Sequence, residues 1–128
     1  MGEAWEDLCR ACVATLRTGA RGLAGLGPWR PAGRFWHGAG PEWDVVSTSI
    51  DGRRLLLGEA RWLEKPADRA ALEALAARLV AKGRPGMDEI HAEEVVHVLF
   101  VPEVRGRIGD LGSVLVLTAR DVPGSSGR

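Results

Sequence analysis

The chain has 128 residues, the common size of one domain, and a length that lets roughly two thirds of the unfolded surface be buried without staples. Lys plus Arg and Asp plus Glu each number 17, and neither half of the sequence is a charged tail, which argues against a histone-like partner or a polybasic membrane anchor. No apolar run approaches the ~18 residues of a membrane span, the N-terminus lacks the basic and apolar segments of a signal peptide, and two cysteines make no disulfide framework. These features point to a soluble protein of a reducing cytoplasm, with residues 1–120 as one domain and residues 121–128, DVPGSSGR, as a flexible tail.

Residues 4–17 predict a helix, because Trp5, Leu8, Cys9, Cys12 and Leu16 form one apolar stripe. The two cysteines lie on that stripe and read as core. Gly19, Gly22, Gly25, Gly27 and Pro28 then mark a loop. Two antiparallel strands follow at about 42–50 and 53–62, preceded by a short one at 33–37. Asp51-Gly52 between alternating segments is a strong hairpin signal. A second helix spans about 68–82, with Asp68 as N-cap, Leu72, Leu75 and Leu79 on its apolar face, and Gly83 at its end. Val95 to Val101 is apolar on both faces and reads as a buried central strand, and residues 113–118 make the last one. The helix after the hairpin is a crossover, so the next strand lies parallel to an earlier one. The expected fold is α/β: a mixed β-sheet with an antiparallel hairpin, a crossover helix and helices packed on the sheet.

A two-residue turn at Asp51-Gly52 sets the hairpin register. Thr48 then faces Leu55, Val46 faces Leu57, Asp44 faces Glu59 and Glu42 faces Arg61, all on one side of the sheet. Two acids directly opposite repel each other, and here they end an otherwise apolar face. A sequence tolerates this when both acids are solvated on an exposed face, or when a cation sits between them. A hard divalent ion, Mg²⁺ or Mn²⁺, suits carboxylate oxygens, and a water on it can attack a phosphodiester. Arg61, two residues after Glu59, reads either as an ion-pair partner of Glu42 or as a cation for a phosphate. By the same alternation Trp43 and Trp62 point away from the acids and pack under a helix. Between Asp7 and Glu42 there is no acid and there are five arginines, of which Arg21, Arg30 and Arg34 are the candidates for a DNA backbone.

The helix with Glu6, the EWD at 42–44 and the GEARW at 58–62 resemble, in this order, the core of the PD-(D/E)XK nuclease superfamily, over residues 4 to about 101. The nearest branch is the nuclease-like domain of unknown function that lies C-terminal to the ATPase module of archaeal-type ATPases. The resemblance implies a restriction-endonuclease-like core. It implies Asp44 and Glu59 as metal ligands for Mg²⁺ or Mn²⁺, Glu6 as a supporting acid, and a metal-dependent attack on DNA. It also implies an ATPase module in cis or in trans as a partner. Three departures stand out. The family's lysine is Arg61, the segment VPEVRGR lacks the branch's Ser-X-X-Gly-Phe stretch, and no Gly-X-X-X-X-Gly-Lys occurs in the chain. The expected activity is therefore weak or impaired, and the competing expectation is a non-catalytic DNA-docking or protein-interaction module beside an ATPase.

Overall fold

A computed structural model describes residues 2–14, 28–35, 42–83, 92–106, 111 and 113–120. The elements run α1 (Gly2–Val13), β1 (Gly33–Phe35), β2 (Trp43–Thr48), β3 (Arg54–Ala60), α2 (Arg69–Ala81), β4 (Glu94–Phe100) and β5 (Val114–Leu117). They build one five-stranded sheet in the order β1-β2-β3-β4-β5. The first three strands are antiparallel neighbours, while β4 runs parallel to β3 and β5 parallel to β4. The mixed sheet, the hairpin and the crossover helix expected from the sequence are all present. Among the described residues no helix is long and apolar enough to cross a membrane. Arg21, the expected helix end at Leu16, the loop from Gly19 to Gly27 and the tail at 121–128 lie outside the described residues.

Alternation along β3 and β4 divides the core in two. Leu56, Ala60, Val98 and Phe100 pack with Trp5, Cys9, Cys12 and Val13 of α1. Leu55, Leu57, Leu99 and Val101 pack with Leu72, Leu75, Ala76 and Leu79 of α2. The helices thus cover opposite faces of the sheet, and Cys9 and Cys12 are buried in the α1 layer with no disulfide between them, as their stripe requires. Gly58 is where the layers come closest to the strand. A Cβ there would meet the Phe100 ring at 2.9 Å and Val45 Cβ at 3.2 Å, so only glycine fits beside Glu59.

The hairpin register is the predicted one, with Val46 opposite Leu57 and Thr48 opposite Leu55. The turn differs from the expected two-residue form. Gly52 N–H donates to the Ser49 carbonyl at 2.9 Å, and Ser49 N–H donates to the Arg54 carbonyl at 2.9 Å. The loop is therefore residues 50–53. The Asp51 carboxylate holds it open by accepting from the Ser49 hydroxyl at 2.7 Å and from Arg53 N–H at 3.0 Å. One residue is added on each side, so the register survives.

Helix α2 begins at Asp68, whose carboxylate accepts from Ala71 N–H, and stops at Lys82 before Gly83 with φ of 77°. Between β3 and α2 the chain runs on beyond the sheet, bridging at Ala67 to Val104. Residues 61–67, bent at Glu64 and Lys65, carry the chain away from Glu59, and the 13-residue helix, about 20 Å long, brings it back. The last turn of α2 therefore comes back to the level of Glu59.

Candidate functional site

β2 carries the irregularity that builds the site. Gly33 pairs with Val46 and Phe35 with Trp43, so one residue of β1, Arg34, opposes two of β2. This is a bulge at Asp44 and Val45, a device that re-aims side chains. Trp43 and Val45 share a parity yet lie in opposite core layers, Val45 under α1 and Trp43 under α2. The expectation that Trp43 faces away from the acids is thus corrected. It packs under a helix, but on the face of Leu55, Leu57 and Glu59. Strict alternation misses a one-residue insertion.

Past Val45 and Gly58 the β2–β3 ladder yields to a side chain, as Ala60 N–H donates to Asp44 Oδ2 at 3.0 Å. Asp44 therefore reaches into the gap between the strands, where the hairpin register brings it to Glu59. Its own carbonyl is held by Arg10 of α1, whose Nη1 donates to it at 2.8 Å. Burial raises the Asp44 carboxyl above the usual range; the Ala60 amide opposes that, and the charge of Glu59 adds to it.

Glu59 is 4 % exposed. Both of its oxygens are engaged. Arg61 Nη2 donates to Oε2, and Lys82 Nζ lies 3.3 Å from Oε1. Burial alone would raise this carboxyl, but the hydrogen bond from Arg61 and the charge of Lys82 outweigh it and hold it below the usual Glu value. Lys82 also donates to the Glu42 carbonyl at 2.7 Å. The expected pairing of Glu42 with Arg61 does not form. Arg61 turns along its own strand to Glu59, and Glu42 has Arg34 at 3.7 Å instead. Arg61 Nε is buried without a hydrogen-bond partner among the described residues.

These groups face a cleft of about 450 Å³, with Asp44, Glu59 and Arg61 at its floor and Glu6 on its α1 side. Lys82 and Arg78, from the end of α2, close the other side, and Trp62 lines the cleft as well. Burial and the charge of Asp44 raise the Glu6 carboxyl, against the pull of Arg10 and Arg34. The four residues singled out from the sequence, Glu6, Asp44, Glu59 and Arg61, are thus brought together. The basic stretch is not. Arg34 stands at the rim beside Glu42, whereas Arg30 reaches the Ile50 carbonyl at the opposite end of the hairpin.

Sequence reasoning missed Lys82, Arg78 and the direction of Trp62. The contacts of Lys82 with Glu59 and the Glu42 carbonyl show that the end of α2 returns over Glu59, and no spacing in the sequence announced that return. Trp62 does meet a helix, edge-on to Trp5 of α1 with ring centroids 6.1 Å apart, but it is 37 % exposed and lines the cleft of the acids instead of pointing away from them.

Two carboxylates from adjacent strands are hard oxygen donors of the kind a magnesium-type ion takes, with water or phosphate oxygens completing its shell. Among the described residues no three His, Cys, Asp or Glu side chains gather as a cation cage. Comparison with protein-family models, curated proteins and solved structures found no match to this chain.

Proposed function

We propose that the cleft is the site of a magnesium- or manganese-dependent phosphodiesterase of the PD-(D/E)XK type acting on DNA, of low activity. The observation that carries the reading is the meeting of Asp44 and Glu59 across the split between β2 and β3, with Arg61 and Lys82 on the two oxygens of Glu59. Asp44 and Glu59 would hold the ion, with Glu6 in support. Bound there, the ion supplies an activated water and offsets charge on the phosphate.

The chain's own residues do the rest. Arg61, whose side chain is partly exposed in the cleft, offers a fixed charge to a phosphate oxygen. A guanidinium cannot give up its proton near neutral pH, so Arg61 does not replace the proton-handling role of a lysine. Lys82 brings a compact ammonium to the same carboxylate from α2, and it serves as a positioning residue that holds Glu59 in place. Leu57 and Trp43 beneath the acids exclude water and keep the carboxylate geometry fixed.

The restriction-endonuclease-like reading of the fold rests on the strand order and on α1 and α2 covering opposite faces. A second reading, a non-catalytic DNA-docking module working beside an ATPase, is favoured by one observation: internal cations already compensate both oxygens of Glu59. DNA cleavage in Mg²⁺ or Mn²⁺ by wild type and Glu59→Ala separates the two. Slow metal-dependent cleavage lost in the variant supports the first reading. DNA binding without cleavage in either protein overturns it in favour of the second.

A further inference from the structure

Among the described residues only Ile50, Trp62 and Val80 are large hydrophobic side chains left exposed. Ile50 caps the hairpin turn, and Val80 lines a separate cleft beside Leu111 and Val114. Trp62 is different, because it stands in the cleft next to Arg61. Its exposure of 37 % contrasts with 3 % for Trp5, the ring that holds it edge-on. Trp5 is itself anchored, since its Nε1 donates to the Phe100 carbonyl at 3.1 Å, and the same carbonyl accepts from Arg61 N–H at 2.9 Å. An exposed indole is therefore held by a buried one and tied to the end of β4. Such a ring has little freedom to lose on meeting a flat ligand.

The cleft offers this ring together with Arg61, Arg78 and Lys82, and with Arg34 at the rim. An aromatic face beside cations matches a nucleotide, whose base stacks while its phosphate is paired. In a duplex each base has both faces covered by its neighbours. Only an unpaired or terminal nucleotide can put a base on Trp62.

We propose that Trp62 is a base-stacking platform and that the ligand of the cleft is single-stranded DNA or an unpaired DNA end, not an intact duplex. This rests on the phosphodiester reading for the class of ligand, but the binding it describes needs neither a bound ion nor cleavage. It adds a specificity determinant to the acids and cations of the floor.

The test is binding of a labelled oligodeoxythymidylate, competed either by unlabelled oligomer or by relaxed, covalently closed circular duplex without unpaired or terminal bases at equal nucleotide concentration, by fluorescence anisotropy in EDTA. Wild type, Trp62→Ala, Trp62→Leu and Trp62→Phe are compared, each checked for native circular dichroism. The expected result is preference for the single strand, with affinity reduced roughly 5- to 100-fold in Trp62→Ala. Trp62→Leu, which keeps apolar bulk without a π-face, should lose nearly as much, and Trp62→Phe should keep most of it. The oligomer should also quench wild-type tryptophan fluorescence more than that of Trp62→Phe. Equal affinity of wild type and Trp62→Leu overturns the proposal, as does equal competition by strand and duplex, or no binding of the oligomer. Duplex cleavage by a wild type whose Trp62→Leu form binds normally sinks the platform and leaves the phosphodiesterase standing. Trp62-dependent single-strand binding with no response to Mg²⁺ does the reverse.

Discussion

Replacing Lys82 by methionine removes one of the two cations on a nearly buried carboxylate. Breaking a fully buried ion pair costs about 3–5 kcal/mol, whereas exposed pairs contribute about 0–1 kcal/mol. Glu59 is at the buried end of that scale, but the Lys82 side chain is 26 % exposed and Arg61 remains on the other oxygen. The pair therefore falls between the limits, at about 1–2 kcal/mol. The backbone cap survives, because Lys82 N–H bonds to the Leu79 and Val80 carbonyls do not need the side chain, and methionine is as good a helix former as lysine. For a chain of this length the loss corresponds to a fall in Tm of about 3–10 °C at pH 7. The assay is thermal unfolding in EDTA, with Glu59→Gln and the double variant closing a cycle. Coupling of about 1 kcal/mol or more is expected. The sign with pH follows from Glu59, whose carboxyl is held below its ordinary value. Its contribution is complete above the ordinary Glu value and is lost as pH falls through the native one. The deficit of Lys82→Met should therefore shrink on acidification below about pH 4. An unchanged Tm at pH 7, or the same loss in the Glu59→Gln background, refutes the assigned role of Lys82.

Three further outcomes follow from the same geometry. Asp44→Asn keeps an acceptor for Ala60 N–H and removes a carboxyl raised by burial; the wild type loses stability as pH rises from the ordinary Asp value through that raised one, so in EDTA the variant should gain on it as pH rises above about 4. A Tm difference that does not change with pH contradicts this. Gly58→Ala pushes a methyl into Phe100 and Val45 and should cost about 1–3 kcal/mol in urea unfolding, with part of the loss recovered by Phe100→Leu. Arg61→Lys keeps the charge beside Glu59 and restores a group that can exchange its proton, so metal-dependent DNA cleavage should increase, with Glu59→Ala as the inactive control; strong wild-type cleavage abolished by Arg61→Lys would show arginine to be the working residue.

The sheet was legible because its signals are local and redundant. Alternation in 43–48 and 54–60 sets the pairing of the hairpin, and the pairing tolerates an error in loop length because a widened loop adds residues in pairs. Asp68 and Gly83 mark α2 at both ends by backbone chemistry that does not depend on the rest of the chain. Asp44, Glu59 and Arg61 could be grouped for the same reason, since each sits at a definite place on the hairpin, whereas Glu6 joined them only through the family resemblance. The bulge in β2 was not legible. It is a mismatch between β1 and β2, strands joined by a longer loop, and nothing in WDVVST alone announces an extra residue. Its effect is not small, for it turns Trp43 under α2 and leaves Asp44 in the gap between strands. Arg30 and Arg34 show a related limit. They are four positions apart, yet one ends at the hairpin turn and the other at the cleft, because the chain between them runs along the sheet.

The central claim is that Asp44 and Glu59 together receive a divalent cation, and a titration of Mg²⁺ and Mn²⁺ followed by thermal shift tests it most directly. A cation that binds only the native state raises Tm by mass action, by an amount that grows with the logarithm of its concentration once above Kd. Wild type should rise through the millimolar range for Mg²⁺ and at lower concentration for Mn²⁺, while Asp44→Ala stays flat. If neither ion moves the Tm of wild type, or if Asp44→Ala follows wild type step for step, the acids are a self-compensated cluster and the cleft is not a metal site.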